Sequence, residues 1–81
     1  MKVQVESYSG HKSNQRPIKF WIGEKLFFVE SIEDQWYGVD ALYFRVRADD
    51  RNTYVLSYTE STDVWTLEKS TNQRQYPINQ T

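Results

Sequence analysis

The sequence predicts a small all-β fold, an antiparallel meander of five or six strands curled into a partly open barrel of SH3-like or OB-like size. Apolar and polar side chains alternate with a period of two in residues 42–48, 54–58 and 64–68. Such alternation is typical of strands with one buried face. Turn-forming residues separate these runs, and the matching of their apolar faces limits how the strands can pair. An open sheet that dimerises through an apolar hairpin is the alternative.

A single domain is expected from the length of 81 residues. The chain has no cysteine and therefore no disulfide, so its three Trp, six Tyr and four Phe have to supply the core. We expect residues 1–69 to form the domain, and residues 70–81, a polar tail without periodicity, to be disordered. The sequence has neither an apolar run long enough for a transmembrane helix nor the apolar segment of a signal peptide, which predicts a cytoplasmic location.

The first half of the chain is predicted to contain a strand, a long loop and a hairpin. Residues 3–7 alternate and form the strand, and the polar residues 9–16 form the loop. The hairpin of residues 17–31 turns at Gly23-Glu24, because glycine in the first position of a two-residue connection favours a type II′ turn. The expected pairs are Ile22 with Lys25, Trp21 with Leu26, Phe20 with Phe27, Lys19 with Phe28, and Ile18 with Val29.

Both faces of this hairpin are apolar, unlike the faces of the later strands. One of them is therefore either covered inside a curled barrel or forms an interaction patch. The two faces consist of Ile18, Phe20, Phe27 and Val29 on one side and of Trp21, Leu26 and Phe28 on the other.

The acidic residues 31–40 interrupt the alternating pattern. The break lies between Val29 and Ile32, which indicates a bulge or the end of a strand. We interpret this segment as a loop that lays Trp36 over an open end of the sheet.

The second half is predicted to form two hairpins whose registers follow from their apolar faces. The first has a three-residue loop, 50–52, in which Asn52 tolerates the left-handed conformation that such loops need, so we expect a positive φ there. The second has a four-residue loop, 60–63. The expected pairs are Ala48 with Tyr54, Val46 with Leu56, Phe44 with Tyr58, Tyr58 with Trp65, and Leu56 with Leu67. The expected core consists of Phe20, Phe27, Phe44, Val46, Leu56, Trp65 and Leu67.

Residues suited to catalysis are few, and we expect no enzyme activity. His11 is the only histidine and lies in the polar loop. Asp49 and Asp50 lie at a hairpin turn, where Asp side chains form local hydrogen bonds. The sequence has no metal-ligand spacing, phosphate-binding loop or nucleophile motif, so neither a cofactor nor a metal site is predicted.

Two surfaces are candidates for binding a ligand. Basic residues predominate in residues 1–22, although the net charge of the whole chain is −1. Basic groups beside an aromatic ring can hold the phosphates and stack the bases of single-stranded nucleic acid. On the polar face of the meander, Arg45 and Arg47 are expected to pair with nearby acids such as Glu68. The basic surface predicts a ligand-binding site formed by Lys12, Arg16, Lys19 and Trp21.

A pattern of core and turn residues runs through residues 6–68. It consists of Glu6, Tyr8 and Gly10, then Arg16-Pro17 and Phe20, then Trp36, Phe44-Arg45-Val46, Tyr54, Leu56, Trp65 and Leu67. This pattern resembles a family of short bacterial β-proteins without an assigned activity. The resemblance implies a shared fold and supplies no catalytic residues. Because some members are encoded near translesion-polymerase genes, it also implies an accessory role in DNA repair.

The expected function is that of a non-enzymatic binding or accessory module without membrane association. Its expected partner is single-stranded nucleic acid or a protein. The alternative is protein–protein interaction or homodimerisation through the face of Trp21, Leu26 and Phe28. The chain is expected to be a monomer or a weak homodimer.

Overall fold

Six antiparallel strands close into a small barrel in the computed structural model, which describes residues 1–8 and 16–71. Each strand pairs with its neighbours in sequence, and the first also pairs with the last. The prediction of a small all-β barrel is confirmed, and its closure excludes the open sheet. The strands are β1 (Lys2–Tyr8), β2 (Arg16–Ile22), β3 (Lys25–Tyr37), β4 (Ala41–Ala48), β5 (Thr53–Thr59) and β6 (Val64–Thr71).

The β2–β3 hairpin has the predicted turn and register. Gly23 has a φ of 63°, whereas Glu24 is not among the described residues with positive φ, as a type II′ turn requires. The ladder ends at Lys19 and Phe28, so the expected pair of Ile18 with Val29 does not form. The observed pairs are Ile22 with Lys25, Trp21 with Leu26, Phe20 with Phe27, and Lys19 with Phe28.

Ile18 does not share the face of Phe20 and Phe27 as expected. Between two successive pairs β1 advances by one residue, from Glu6 to Ser7, while β2 advances by two, from Lys19 to Pro17. Ile18 is the extra residue of this bulge. A bulge re-aims the side chains that follow it, and as a result Pro17 is buried while Ile18 is 41% exposed.

Aromatic rings form most of the core. Phe20 stacks on Phe27 at 5.2 Å between ring centroids, and Tyr54 packs against the edge of Phe20. Trp65 contacts Tyr58 at 4.9 Å and Phe44 at 5.8 Å. Six of the seven expected core residues are buried; the seventh, Leu67, is only partly buried at the β1–β6 seam. The buried hydrophobic residues are Phe20, Phe27, Phe44, Val46, Ala48, Tyr54, Leu56, Tyr58 and Trp65.

The interpretation of residues 31–40 as a loop over an open end is wrong. Strand β3 continues through residues 31–37 and pairs with β4 along that length. Its register shifts twice, between Val29 and Ser31 and between Ile32 and Asp34. Each bulge adds one residue without a partner, so a continuous strand loses its alternation in the sequence. The broken pattern therefore reflects bulges, the other possibility that it indicated.

The β4–β5 hairpin is shifted by two residues from the predicted register. Phe44 pairs with Leu56 and Val46 with Tyr54, and the residue with positive φ is Arg51, at 71°. The expectation for Asn52 is therefore wrong. The loop still has three residues, 49–51, and is closed by a hydrogen bond from Ala48 N to Asn52 O of 3.0 Å. A shift of two residues keeps every side chain on its face, so alternation could not distinguish the two registers.

Replacing Arg51 with glycine is expected to stabilise the fold by roughly 0.5–1 kcal/mol. Glycine adopts positive φ without the penalty of about 1–2 kcal/mol that other residues incur, although it loses more chain entropy on folding. Asn52→Gly is the matched control and should destabilise, because Asn52 has no positive φ and its Nδ2 donates to Asp50. Urea unfolding of both variants measures the difference. The turn assignment is contradicted if Asn52→Gly is the more stable of the two.

The last hairpin has the predicted loop, 60–63, and the predicted pairs of Tyr58 with Trp65 and of Leu56 with Leu67. Strand β6 reaches Thr71. Residues 72–81 of the expected tail, and residues 9–15 of the expected loop, lie outside the described residues. Within the described ranges, no helix is long and apolar enough to cross a membrane.

Candidate functional site

The carboxylates of the β4–β5 turn have structural hydrogen-bond partners. Asp50 accepts hydrogen bonds from Asn52 N at 3.0 Å and from Tyr54 OH at 2.6 Å. Asp49 Oδ1 accepts one from Phe28 N at 3.2 Å. Both residues therefore hold the turn, as expected of Asp at this position. His11 lies outside the described residues.

The hydrogen bonds at this turn also shift two pKa values. Burial by itself raises the pKa of Asp50, but the hydrogen bonds donated by Tyr54 and Asn52 bring the net pKa below its usual 3.8. Burial and the hydrogen bond to Asp50 raise the pKa of Tyr54 to about 12. At neutral pH the carboxylate of Asp50 is therefore charged and the phenol of Tyr54 is protonated. Neither group has a pKa near the neutral range in which a general acid or base works best.

The last hairpin contains a second pair of this kind. Tyr58 OH donates to Asp63 Oδ1 at 2.6 Å, and this hydrogen bond together with burial raises the pKa of Tyr58 to about 12. Asp63 has a φ of 57°, and its N–H donates to Thr59 O. No group of three or more potential metal ligands occurs in the part of the chain that the structure describes.

The outer surface of β2 and β3 carries an apolar strip, which we call the hairpin face and define by Trp21, Leu26 and Phe28. Trp21 is half-buried, while Leu26 and Phe28 are 36% and 45% exposed. Trp36, which could have covered this strip, stacks on Tyr43. Leu26 and Phe28 therefore remain in contact with solvent.

The residues of the predicted basic site have different surroundings. Lys19 Nζ lies 3.5 Å from Glu6 Oε1 and 5.5 Å from the centroid of the Phe28 ring, so its charge is compensated. Trp21 neighbours Lys19 on the same side of β2, and Arg16 is exposed at the start of that strand. Lys12 lies outside the described residues. The structure thus brings Lys19 and Trp21 together, but Lys19 is already paired.

A second aromatic surface, which sequence reasoning missed, lies on the outside of β3 and β4. The rings of Trp36 and Tyr43 are nearly parallel, with 4° between their planes and 5.5 Å between their centroids. They face each other because the two residues are a cross-strand pair. We call this pair the aromatic platform. Its signal in the sequence is Trp36, followed by Tyr37 and Gly38, in the segment 31–40 that alternation alone indicates to be a loop.

Gly38 lies directly against the Tyr43 ring of the aromatic platform. A Cβ at this position would lie 2.6 Å from Tyr43 Cε1, closer than two such atoms can approach. Gly38 N donates to Ala41 O at 2.8 Å, which fixes the turn between β3 and β4. Glycine is therefore needed here for the close approach of the ring.

Beside the platform lies a recess of about 470 Å³. Val55 contributes an apolar wall, and Lys69 and Arg45 contribute cations. Arg45 lies 3.6 Å from Asp34 and 3.7 Å from Glu33. Lys69 has no carboxylate within salt-bridge distance among the described residues. The recess is lined by Trp36, Tyr43, Arg45, Thr53, Val55, Glu68 and Lys69.

The expected pairing of Arg45 and Arg47 with acids occurs, but with different partners. Glu33 forms ion pairs with both arginines, at 3.5 Å to Arg47 and at 3.7 Å to Arg45. Glu68, the expected partner, instead accepts a hydrogen bond of 2.7 Å from Ser57 Oγ. The cause is the extension of β3, which brings its acidic residues alongside β4.

No protein-family model, curated protein or solved structure matches this chain. The assignment of a function to these two surfaces therefore depends on their own geometry and chemistry.

Proposed function

We propose that this protein is a non-enzymatic binding module that self-associates weakly through the hairpin face. The observation that carries the proposal is the exposure of Leu26 and Phe28, at 36% and 45%, beside the half-buried Trp21. Adjacent large apolar side chains on one sheet surface are typical of interaction sites. All six strands of the described ranges are paired within the closed barrel, and none of them lies over these side chains.

The charges around the hairpin face favour a second copy as its occupant. Lys19 and Glu6 form an ion pair on the same surface, so two copies meeting face to face bring no net charge together. A two-fold dimer uses the same patch on both subunits, and a neutral patch meets the requirement that it be complementary to itself.

The size of the hairpin face limits the strength of the dimer. The patch spans two strands about 4.8 Å apart and about three residues along each at a rise of about 3.3 Å, so its footprint is roughly 100 Å². A stable complex buries about 800 Å² on each partner. We therefore expect a transient dimer, populated only at high concentration.

Sedimentation velocity from low micromolar to millimolar concentration tests the proposal. Wild type should change from monomer to dimer over this range, while Phe28→Glu should remain monomeric. In the monomer the new carboxylate lies opposite Lys19 on β2, a favourable cross-strand pair that preserves the fold. In the dimer the same carboxylate would be removed from water at a large cost in free energy.

Val39→Glu is the matched control. It introduces the same charge at an apolar residue that is 90% exposed and lies outside the hairpin face, so the dimer should persist. Wild type that stays monomeric at millimolar concentration overturns self-association and leaves a different protein as the occupant. Equal loss of association in the two variants would show that the interface lies elsewhere.

Binding of single-stranded nucleic acid by Lys12, Arg16, Lys19 and Trp21 stays a prediction. Its support is the neighbouring position of Lys19 and Trp21 and the exposure of Arg16. The accessory role in DNA repair, which the resemblance implies, and the cytoplasmic location are likewise predictions.

A further inference from the structure

The aromatic platform presents an exposed ring whose position is already determined by its neighbours. Trp36 is 39% exposed although it stacks on Tyr43, and the ring of Tyr43 lies against Gly38. Both rings line the recess of about 470 Å³ together with the apolar side chain of Val55. They offer contact area to the C–H groups of a ligand, and a ring held in place loses little conformational entropy on binding.

A β-bulge places a hydrogen-bond acceptor and a hydrogen-bond donor side by side in the recess. Between two successive pairs β5 advances by one residue while β6 advances by two, and the extra residue is Glu68. Consecutive side chains point to opposite faces in a regular strand, but here Glu68 and Lys69 both line the recess. Bulges that re-aim a side chain in this way are frequent next to active sites.

The carboxylates and the cations around the recess are equal in number, which favours a ligand without net charge. Ser57 Oγ donates to Oε2 of Glu68 at 2.7 Å, but this hydroxyl is neutral and leaves the carboxylate its charge. A phosphate or an ammonium group would therefore meet as much repulsion as attraction. The charged groups in the recess and in the ion pairs of Arg45 and Glu33 are Glu33, Asp34 and Glu68 against Arg45, Arg47 and Lys69.

We propose that the recess binds an uncharged saccharide, with the C–H face of one pyranose ring against Trp36 and two neighbouring hydroxyls at Glu68 and Lys69. Each hydroxyl can both donate and accept a hydrogen bond. Adjacent hydroxyls therefore suit a carboxylate that only accepts beside an ammonium group that only donates. The site shares no residue with the hairpin face or with the predicted basic site, so it does not depend on self-association.

Titration with cellohexaose, followed by amide NMR spectra, tests this proposal. The hydroxyls of this linear glucose oligomer lie around the rim of each ring and leave both ring faces to C–H groups, so it fits a flat aromatic surface. We expect millimolar binding, with the largest shift changes at the residues that line the recess. The dissociation constant should not change between low and moderate salt, because an uncharged ligand displaces no counterions.

Two variants, each with a matched control, test the two halves of the site. Trp36→Ala removes the stacking surface and should weaken binding at least several-fold. Its control is Tyr37→Ala, since Tyr37 is the neighbouring aromatic residue, is 76% exposed and does not line the recess. Glu68→Gln keeps an oxygen for Ser57 Oγ but should weaken binding by about tenfold, the factor expected for a hydrogen bond to a charged group. Its control is Glu24→Gln, in the exposed β2–β3 turn.

Three results would overturn the proposal. The first is wild type that binds neither cellohexaose nor its α-linked counterpart maltohexaose. The second is tighter binding of adenosine or oligo-dT than of either saccharide, which would assign the recess to a nucleobase or to nucleic acid. The third is an equal loss of binding in each variant and its control. If Trp36→Ala does not fold, Glu68→Gln still tests the site, and none of these results changes the sedimentation result of the hairpin face.

Discussion

Trp65→Ala is expected to destabilise the protein by about 3–5 kcal/mol, which is the cost of truncating a large buried aromatic residue. Trp65 is only 8% exposed and packs between Phe44 and Tyr58, so its loss leaves a cavity in the middle of the core. Single domains of this size have about 0.05–0.15 kcal/mol of stability per residue. The substitution therefore removes a large share of the total free energy of unfolding and can unfold the domain at room temperature.

The matched control is Trp36→Ala, because it removes the same side chain from the surface. Trp36 is 39% exposed and stacks on Tyr43, and an aromatic pair contributes about 0.5–1.5 kcal/mol beyond the area it buries. Thermal and urea unfolding, followed by far-UV circular dichroism, measure both variants. Similar midpoints for Trp65→Ala and Trp36→Ala would contradict the assignment of Trp65 to the core.

Asp50→Ala is expected to cost about 2–3 kcal/mol at neutral pH. The substitution removes hydrogen bonds from Asn52 N, Asn52 Nδ2 and Tyr54 OH to a charged acceptor. It also leaves the phenol of Tyr54, a residue only 6% exposed, without its partner. Hydrogen bonds to charged groups contribute about 1.5–3 kcal/mol, and orphaned buried donors add to the loss.

The pH dependence follows from the direction of the Asp50 pKa shift. Its pKa in the folded protein is below the unfolded value near 3.8, so its contribution is present above pH 3.8 and disappears as the pH falls through the folded pKa. The difference between wild type and Asp50→Ala should therefore shrink on acidification. The pKa of Tyr54, measured by absorbance, is about 12 in wild type and should be lower in Asp50→Ala.

Asp49→Ala is the control for this prediction. Asp49 is the neighbouring residue of the same type, but its carboxylate accepts a single exposed hydrogen bond of 3.2 Å from Phe28 N. The variant should lose much less stability than Asp50→Ala and should lower the Tyr54 pKa by less, because Asp49 raises that pKa only through its charge, the smallest of the contributions. Equal losses in the two variants would mean that the Asp50 network does not stabilise the turn.

Where the turn residues allow one hairpin only, the turn and the register next to it were predictable. The two-residue connection at Gly23-Glu24 admits one register and one turn type, and both are observed. The loop 60–63 likewise has the predicted length. The β4–β5 loop was predicted with the correct length but one residue too late. Two registers that differ by two residues place the same side chains on the core face, so alternation could not choose between them. The structure shows hydrogen bonds from Phe28 N to Asp49 and from Tyr54 OH to Asp50 that hold the observed register.

The candidate sites were less predictable than the fold. The exposure of the hairpin face could not be derived, because the sequence shows that Leu26 and Phe28 share a side but not whether another element covers them. The aromatic platform was hidden by the bulges in β3, since its cross-strand pair exists only if the strand continues to Tyr37. Compensation of Lys19 by Glu6 depends on the pairing of β1 with β2, which alternation does not specify.

The sequence by itself determined that this protein is an all-β domain, which residues face inward in β4 to β6, and how two of its hairpins turn. These properties are local, because they depend on side-chain alternation and on the conformations that particular turn residues allow. Only the tertiary structure decided where β3 ends, which register β4 and β5 adopt, and which apolar and charged side chains stay open to solvent. These depend on bulges and on contacts between residues distant in the chain, whose free energies the local pattern does not contain.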